Sequence, residues 1–441
     1  MVQARSDVVA VPGRLDSVMV EFNEPRLISD AGLLLTATLA DRLGLEELVN
    51  ESVWLPYGKA GAALPGRKVM TLIHGMIAGA DSIDDMDVLR AGSTQVVLGH
   101  QVMAPSTLGT FLRAFSFGHV RQLDRVLDIA LRRAWAAGAG PGDLPLVIDL
   151  DSFIGEVFGY GKEGAGYGYT HRFGYHPLLA TRSDTGEVLH VRLRTGSANT
   201  QRGVERFVEE LIARVRRAGH HGQIIIRADS GFENHKLIAA LHKQGIEFSV
   251  GAKQSKTIRG LIDEIPQDAW TPVPNYPQGG EAQIAEVQFK GFRLVVRRTR
   301  LTDPKQLALW PDWRHHCFIT NRQVPLLVAD VDHRDHAQIE QVIRDLKDQA
   351  LAHFPSGNYS ANSAWTVIGA LAHNLARWTS LIAHPNRTVQ TAHTRRRQLL
   401  QIPGRLVRTA RRWTLRLPAR WPWAQDFQDA LTQIRALPHR T

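Results

Sequence analysis

The chain has 441 residues, of which 44% are hydrophobic and 22% charged, ordinary proportions for a globular protein. At about 100–200 residues per domain, this length predicts two to four domains. The single cysteine, Cys317, excludes an internal disulfide and any multi-cysteine zinc or iron–sulfur site. No apolar run approaches the roughly 18 residues of a membrane-spanning helix. The first residues, MVQARSDVVAVPG, have no apolar run behind a basic start, so we expect no secretion signal. We therefore expect a soluble protein of a reducing compartment, with no membrane partner.

The first third of the chain is predicted to be helical. Helical spacing of apolar residues runs through about 28–136, and Ser82 with Asp85 forms a capping-box pattern. The Gly- and Ala-rich stretch 137–143 is typical of a linker. These features predict a helical N-terminal domain over residues 1–140.

From residue 144 the pattern changes to alternating strands and helices. Short apolar strands are predicted at 144–149, 224–227 and 246–252, and helical spacing of apolar residues predicts a helix around 204–215. This order predicts an α/β fold whose mixed sheet begins in residues 141–254.

The later segments complete that core. Proline punctuation and two alternating runs predict a β-rich insertion over residues 255–320. Helical spacing resumes at 334–352 and 362–382, so residues 321–383 are predicted to return to the core as helices.

The positive charge is concentrated at the C-terminus. Residues 384–441 hold twelve arginines, no lysine and two acids, which equals the net charge of +10 for the whole chain. Arginine pairs bidentately with phosphate, so we predict a basic, DNA-contacting tail over these residues. A solvated tail without a target and an amphipathic helix on a membrane surface are the alternatives. The candidate phosphate contacts are Arg395, Arg396, Arg397, Arg408, Arg411 and Arg412.

Four acidic residues suit metal-dependent chemistry. Asp149 and Asp151 alternate with apolar residues in VIDLDS, so a strand places both carboxylates on one face. Asp229 follows the apolar strand IIIRA, and Glu340 lies beside the apolar stripe of a late helix. Carboxylates that meet at the ends of adjacent strands can hold two Mg²⁺ ions for an in-line phosphoryl displacement. For Asp229 alone, a turn or helix-cap residue is the plainer interpretation.

The late helix adds possible phosphate contacts. His336, Glu340 and Lys347 have the spacing of one helix face, and His333 lies one turn earlier. Arg344 on the same helix is a further candidate DNA contact. An ordinary charged surface gives the same spacing.

Together these segments resemble the DDE transposases of bacterial insertion sequences, and look most like the insertion-sequence thirteen-eighty group. The resemblance covers most of residues 144–382, and DSIDDMDVLR (81–90) extends it into the N-terminal region. The segments that carry it are VIDLDS (147–152), EVFGYGKEGAGYGYTHRFGYHPLLAT (156–181), GEVLHVRLRTGSANTQRG (186–203), RADSGF (227–232), DHRDHAQIEQVIRDLKD (332–348) and FPSGNYSANSAWTVIGALAHNLARWT (354–379).

The resemblance implies an RNase H-like core with a catalytic triad of Asp151, Asp229 and Glu340. These carboxylates would bind Mg²⁺, for which Mn²⁺ can substitute. Family members have Asp, then Ser or Gly, then Thr at the first position. Here Phe153 replaces that Thr, and Asp149 stays an alternative for the first carboxylate and a further metal ligand.

Related transposases also carry a Tyr-x2-Arg-x3-Glu-x6-Lys pattern. This chain keeps its spacing, with His333 and His336 in place of the Tyr and Arg and with Lys347 at the phosphate-contacting Lys. In relatives, an aromatic residue of the insertion can stack on a flipped base. The candidates here are Trp270, Trp310 and Trp313, although a buried core tryptophan is the plainer interpretation of each.

The implied function is cutting of double-stranded DNA at the terminal inverted repeats of an insertion sequence, followed by joining of the 3′-OH to target DNA. The N-terminal helical domain is our choice for recognition of the ends. Two ends imply a homodimer in the DNA complex, in the cytoplasm of a bacterium and associated with its nucleoid. Two alternatives are a transposase-derived DNA-binding protein without cleavage activity and a stand-alone structure-selective nuclease.

Overall fold

In the computed structural model, the described residues are 15–56, 58, 60–168, 171–274, 276, 280–301, 313–410 and 412–440. The α-helices in these ranges are α1 (Leu33–Arg42), α2 (Leu45–Ser52), α3 (Pro65–Ala78), α4 (Thr94–Leu98), α5 (Pro105–Arg113), α6 (Phe117–Ala134), α7 (Val204–Arg217), α8 (His235–Lys243), α9 (Lys256–Asp263), α10 (Leu326–Arg334), α11 (Gln338–Leu346), α12 (Tyr359–Ala383), α13 (Ala392–Arg395) and α14 (Ala424–Ala436). No helix in these ranges is both long and apolar enough to cross a membrane.

The strands in the same ranges are β1 (Leu27–Ile28), β2 (Leu146–Ser152), β3 (Gly155–Glu156), β4 (Gly166–Tyr167), β5 (Phe173–Tyr175), β6 (Leu178–Arg182), β7 (Val188–Arg192), β8 (Ile224–Ala228), β9 (Glu247–Ala252), β10 (Thr271–Pro272), β11 (Gly280–Phe289), β12 (Phe292–Leu301), β13 (Arg314–Thr320), β14 (Gly404–Thr409) and β15 (Arg412–Arg416). Short 3-10 or π-type turns cover Asp84–Arg90, Trp135–Ala139, Ser230–Phe232, Asp335–Ala337, Lys347–Leu351 and Arg396–Leu400, among others.

A nine-stranded mixed sheet forms the centre of the molecule. Its order is β10-β11-β12-β13-β9-β8-β2-β6-β7. Strand β8 runs parallel to both of its neighbours, β2 and β9, whereas β6 pairs with β2 and β7 in antiparallel fashion. Every residue of β8 is buried because both faces of the sheet are covered, which explains the continuous apolar run Ile224–Ile226. The α/β fold predicted from the sequence is therefore present.

The β-rich segment extends this sheet. Strand β13 pairs with β9, so β10–β13 continue the central sheet toward one edge. The predicted β character of residues 255–320 is found, but within these strands it does not produce a separate sheet. The whole segment also includes a helix, α9, which packs through the buried Ile258 and Ile262.

The N-terminal helices pack directly on the core. The long helix α12 contacts α1, α3, α6 and α14 on one side and β7 on another. One continuous hydrophobic cluster runs from Leu33 to Ile434. At the junction, the buried carboxylate of Glu187 accepts hydrogen bonds from the indoles of Trp135 (3.0 Å) and Trp378 (2.6 Å). The boundary predicted at residue 140 thus separates elements that share one core.

The C-terminal segment is folded, so the prediction of a tail is wrong. Strands β14 and β15 form a hairpin that pairs with β1, and α14 packs against α1 and α12. Leu406, Phe427 and Ile434 are buried in these contacts. The sequence analysis considered only the arginines of this segment and missed the spacing of its apolar residues. Burial of these apolar side chains stabilises the packing of the segment on the rest of the protein.

Candidate active site

The first two acidic residues lie at the same edge of the sheet. In the parallel pair β2–β8, Leu150 is opposite Ala228, and Asp151 and Asp229 are the next residues along each strand. Asp229 directly follows β8 and caps the next turn, where its Oδ1 accepts from the backbone N–H of Gly231 at 2.9 Å. The register of two apolar strands therefore brings both carboxylates together.

Glu340 approaches the same edge from helix α11, which packs against β2. One turn earlier, Nε2 of His336 donates to the carbonyl oxygen of Leu150 at 2.9 Å. This hydrogen bond ties the α10–α11 segment to the end of β2, beside Asp151. His336 and Glu340 are four residues apart and therefore lie on the same side of this segment, as predicted. His336 can thus hold the segment against β2 while Glu340 lies toward the aspartates.

The pKa of Asp151 reflects the nearby charges of Asp229 and Glu340. Burial raises the pKa of Asp151 to about 6, and the negative charges of Asp229 and Glu340 add to that rise. The backbone N–H of Ser152, at 2.6 Å from Oδ1, and the ring of His336 lower it. Three acidic groups thus act on one another at this edge.

The chemistry of this donor set suits divalent cations, although in the described residues the ligand atoms of the three carboxylates do not all lie within 4.8 Å of one another, as the ligands of a single ion would. Within the described ranges, no lysine or arginine pairs with Asp151, Asp229 or Glu340. Three carboxylates in mutual repulsion need a positive counter-charge, and oxygen donors of this kind suit Mg²⁺. Asp229 and Glu340 also line an open cavity of about 750 Å³ between β9, β13 and α10, which leaves room for a large substrate.

Asp149 forms an ion pair with Arg227, so the prediction that Asp149 is a metal ligand is corrected. Its two carboxylate oxygens accept from Nε (2.7 Å) and Nη2 (2.9 Å) of Arg227 on β8. Both side chains are buried. Alternation along β2 puts Asp149 and Asp151 on one face, as predicted, but Arg227 neutralises only the first. The missed clue was the arginine in the apolar run IIIRA, since a buried arginine needs an acidic partner.

A family comparison now decides the class of the protein. The family described as "Transposase DDE domain group 1" matches residues 12–439, nearly the whole chain. The chain belongs to this family. No curated protein matches it. Among solved structures it is similar to a piggyBac transposase synaptic complex with hairpin DNA, at 12% identity and a TM-score of 0.47, over 84% of this chain and 79% of that one.

In this DDE-family chain, the predicted DNA contacts of the late helix have different surroundings. His333 stacks on Phe318 at 4.2 Å and hydrogen-bonds Ser249 at 2.7 Å, and burial lowers its pKa to about 3. A neutral, packed His333 does not suit a phosphate, which corrects that prediction. Lys347 lies 5.3 Å from the ring centre of Phe153, and its side chain and that of Arg344 are exposed.

Gly251 is a site residue that the sequence analysis missed. A Cβ atom at this position in β9 would lie 2.6 Å from the backbone nitrogen of Ser230 and 3.0 Å from the carbonyl carbon of Asp229. Only glycine lets β9 pass this close to the turn that carries Asp229. The clue was a glycine inside an otherwise apolar strand, which often marks close approach of another backbone.

The tryptophans of the β-rich segment of this DDE-family protein differ in exposure. Trp270 is buried, with the guanidinium of Arg298 4.0 Å from its ring centre. Trp313 is half-buried, and Arg298 and Arg300 lie 4.5 and 4.6 Å from its ring centre. Trp310 lies outside the described residues. Burial of Trp270 agrees with the plainer interpretation, a core residue.

The C-terminal arginines of this DDE-family chain divide into two groups. Arg395 and Arg396 are buried, and Arg396 pairs with Asp348, so neither can contact DNA as predicted. Arg397, Arg408 and Arg412 are exposed, and Arg411 lies outside the described residues.

The exposed arginines concentrate on the β14–β15 hairpin. In the strand register, Arg405 lies opposite Arg416 and Thr409 lies opposite Arg412. Alternation along the strands therefore places the guanidinium groups of Arg405, Arg412 and Arg416 on the outward face of the hairpin. Arg408 lies over Trp413 at 5.3 Å, at the open end of the inward face.

A second cluster of acidic residues in this DDE-family chain has the spacing of metal ligands, but its carboxylates form ion pairs with arginines. Ligand atoms of Asp124, His190 and Glu210 lie within 4.8 Å of one another. Arg214 contacts Asp124 at 2.6 Å, and Arg121 contacts Glu210 at 3.0 Å. Although burial acts to raise it, Arg214 and His190 hold the pKa of Asp124 well below its usual range. Because guanidinium groups occupy the places of a cation, this cluster is an ion-pair network that joins α6 to β7 and α7.

Proposed function

We propose that this protein is an active transposase that cuts and joins DNA at the ends of a bacterial insertion sequence. The observation that carries the proposal is the meeting of Asp151, Asp229 and Glu340, without any basic partner among the described residues, at one edge of the sheet. Membership of the DDE transposase family supports it. The central strands and their flanking helices support an RNase H-like core, as the sequence resemblance implies.

The three carboxylates would hold Mg²⁺, with Mn²⁺ as a substitute. Bound there, two such ions would supply activation of water and stabilisation of charge on the attacking and leaving oxygens of a phosphoryl displacement. The protein's own contribution is placement. Strands β2 and β8 fix Asp151 and Asp229, and the hydrogen bond of His336 to Leu150 fixes the helix that carries Glu340. Lys347, which follows Glu340 along the same stretch of chain, would contact a phosphate of the DNA being cut.

The substrate is double-stranded DNA with terminal inverted repeats, together with target DNA. The outward arginines of the β14–β15 hairpin and the exposed Arg344 and Arg397 would bind its phosphates. The N-terminal helices would recognise the ends. Because the reaction joins two ends, we propose a homodimer in the DNA complex, in the bacterial cytoplasm at the nucleoid.

The experiment incubates the purified full chain with a labelled duplex that carries the element's terminal repeat, with Mg²⁺ or Mn²⁺. It compares the unaltered protein with Asp151→Asn, Asp229→Asn and Glu340→Gln, and uses Asp263→Asn, an exposed aspartate of α9, as the matched control. We expect cleavage at the repeat boundary in the unaltered protein and the control, and a loss of at least about 10³-fold in the other three with DNA binding retained.

Three other outcomes would contradict the proposed transposase function or its proposed catalytic residues. Binding without cleavage under every metal would favour a DNA-binding protein derived from a transposase. Cleavage of duplexes that lack any terminal repeat would favour a structure-selective nuclease. Full cleavage by Asp229→Asn would remove the proposed triad.

A further inference from the structure

Arg395 is buried without an ion-pair partner among the described residues. Only 4% of the residue is exposed, and none of its three guanidinium nitrogens has a hydrogen-bond partner among the residues that the structure describes. Removal of a guanidinium from water costs several kcal/mol unless an anion or well-placed acceptors replace the hydration shell. Arginine does not escape this cost by losing its proton at neutral pH. A stable position for Arg395 therefore requires a negative partner.

The carboxylates around Arg395 are engaged by other groups. Asp345 accepts from Arg377 at 2.6 Å through one oxygen and from Gln341 at 3.0 Å through the other. Asp348 pairs with Arg396. These two acids therefore leave the guanidinium of Arg395 without a direct ionic partner.

Arg395 borders a small cavity. It has a volume of about 30 Å³ and is bounded by the C-terminal part of α12, the turn between β6 and β7, and the segment 384–399. That volume exceeds the roughly 10–15 Å³ that one water molecule needs. The polar residues on its wall are Thr185, Arg377, Ser380, His384, Arg387, Thr388, Gln390 and Arg395.

The wall is cationic and offers further free donors. Nε2 of His384 and Nε of Arg377 are buried and without hydrogen-bond partners in the described part of the chain. Arg387 at the outer side is half-exposed and is held in place by Asp426 through contacts of 2.6 and 2.8 Å. The basic residues of the wall come from α12 and from the segment that follows it, and the residues beside Arg387 are exposed.

We propose that this cavity binds a small inorganic anion, no larger than phosphate, between Arg395, Arg377 and His384. The anion neutralises Arg395 and bridges α12 of the core to the segment that leads into the β14–β15 hairpin. DNA is not the ligand, because its backbone cannot reach a residue buried to this degree. The anion therefore acts as a structural brace that positions the exposed arginines of the hairpin.

The test measures thermal unfolding of the full chain, without DNA or divalent metal, in sodium gluconate of constant ionic strength. Chloride, sulfate and inorganic phosphate each replace gluconate in turn. We expect at least one of them to raise the Tm in a saturable way, by about 3 °C at a hundred times its Kd. Arg395→Met removes the response, because it removes the buried charge. Arg259→Met, which removes an exposed arginine of α9 far along the chain, keeps it.

Two results would overturn the proposal: no saturable rise with any of the three anions, or an equal rise in Arg395→Met. If Arg395→Met does not fold, crystals of the unaltered protein soaked in bromide or selenate decide the question. An anomalous peak beside the guanidinium of Arg395 supports the anion site, and ordered water alone in the cavity contradicts it.

Discussion

Asp149 and Arg227 form a bidentate ion pair between the two strands that carry the proposed catalytic aspartates. The pair is fully enclosed, with contacts of 2.7 and 2.9 Å from Arg227 Nε and Nη2 to the two oxygens of Asp149. In the register of β2 and β8, Asp149 and Arg227 are opposite each other, one residue before the opposed pair Leu150 and Ala228 that precedes the two catalytic candidates. The charge pair thereby fixes the relative position of β2 and β8 and leaves Asp151 as the free carboxylate.

Breaking this pair from either side leaves a buried charge alone. We expect Asp149→Asn and Arg227→Met each to lower the free energy of unfolding by about 3–5 kcal/mol. The double change Asp149→Leu with Arg227→Met should cost much less than the sum, because both charges leave together. Urea unfolding at pH 7.5 measures these values. A cost below about 1 kcal/mol for either single change would show that the pair is not buried in solution.

The raised pKa of Asp151 predicts a pH-dependent cost to stability in the metal-free protein. The folded pKa of about 6 exceeds the unfolded value of about 3.9. Below about pH 4 the group is protonated in both states and has no effect. Between about pH 4 and 6 the unfolded state alone releases the proton, so stability falls as the pH rises, by at most about 3 kcal/mol.

We therefore expect Asp151→Asn to raise the Tm at pH 8 and to leave it unchanged near pH 4. Asp263→Asn, which removes an exposed aspartate, is the control for loss of one surface charge. Thermal unfolding in chelator at the two pH values measures both variants. An equal effect of Asp151→Asn at pH 4 and pH 8 would contradict the proposed burial of a repelled carboxylate.

Close packing between β9 and the turn after β8 predicts that Gly251→Ala displaces Asp229. The new Cβ would meet the backbone of Ser230 at 2.6 Å, so the turn must move. A shift of about 1 Å in a reacting group can reduce the rate by about 10²-fold, and we expect a loss of that size with DNA binding retained. Gly260→Ala, on α9 with open space around it, should retain full activity. Wild-type cleavage by Gly251→Ala would show that the turn adapts without moving Asp229.

The outward face of the β14–β15 hairpin predicts salt-dependent DNA binding. Removal of one phosphate-binding arginine should reduce the slope of log K against log salt by about 0.9. We expect Arg412→Ala to weaken binding to all duplex sequences and to reduce the slope by about that amount. Arg217→Ala, an exposed arginine of α7 that pairs with Asp128 at 2.9 Å, should change neither. Fluorescence anisotropy over a range of salt concentrations measures both, and an unchanged slope in Arg412→Ala would remove the hairpin from the DNA interface.

Local patterns were sufficient to predict several elements. Apolar runs and helical spacing predicted β2, β8 and α7, because burial of apolar side chains dominates their folding. The same patterns placed Asp151 and Asp229 at strand ends and put His336 and Glu340 on one helix face. Period-two alternation could not separate Asp149 from Asp151, since both point to the same side of β2.

The tertiary structure decided which charges are available. Arg227 lies 78 residues from Asp149 in sequence, and only the pairing of β2 with β8 brings them into contact. Charge composition alone suggested DNA contacts for Arg395 and Arg396, yet packing of the C-terminal segment on α12 buries both. A sequence records the identity of each charge, whereas its solvation and its partners depend on segments far away in the chain. The sequence therefore determined the chemistry that this protein carries, and the fold determined which of those side chains can use it.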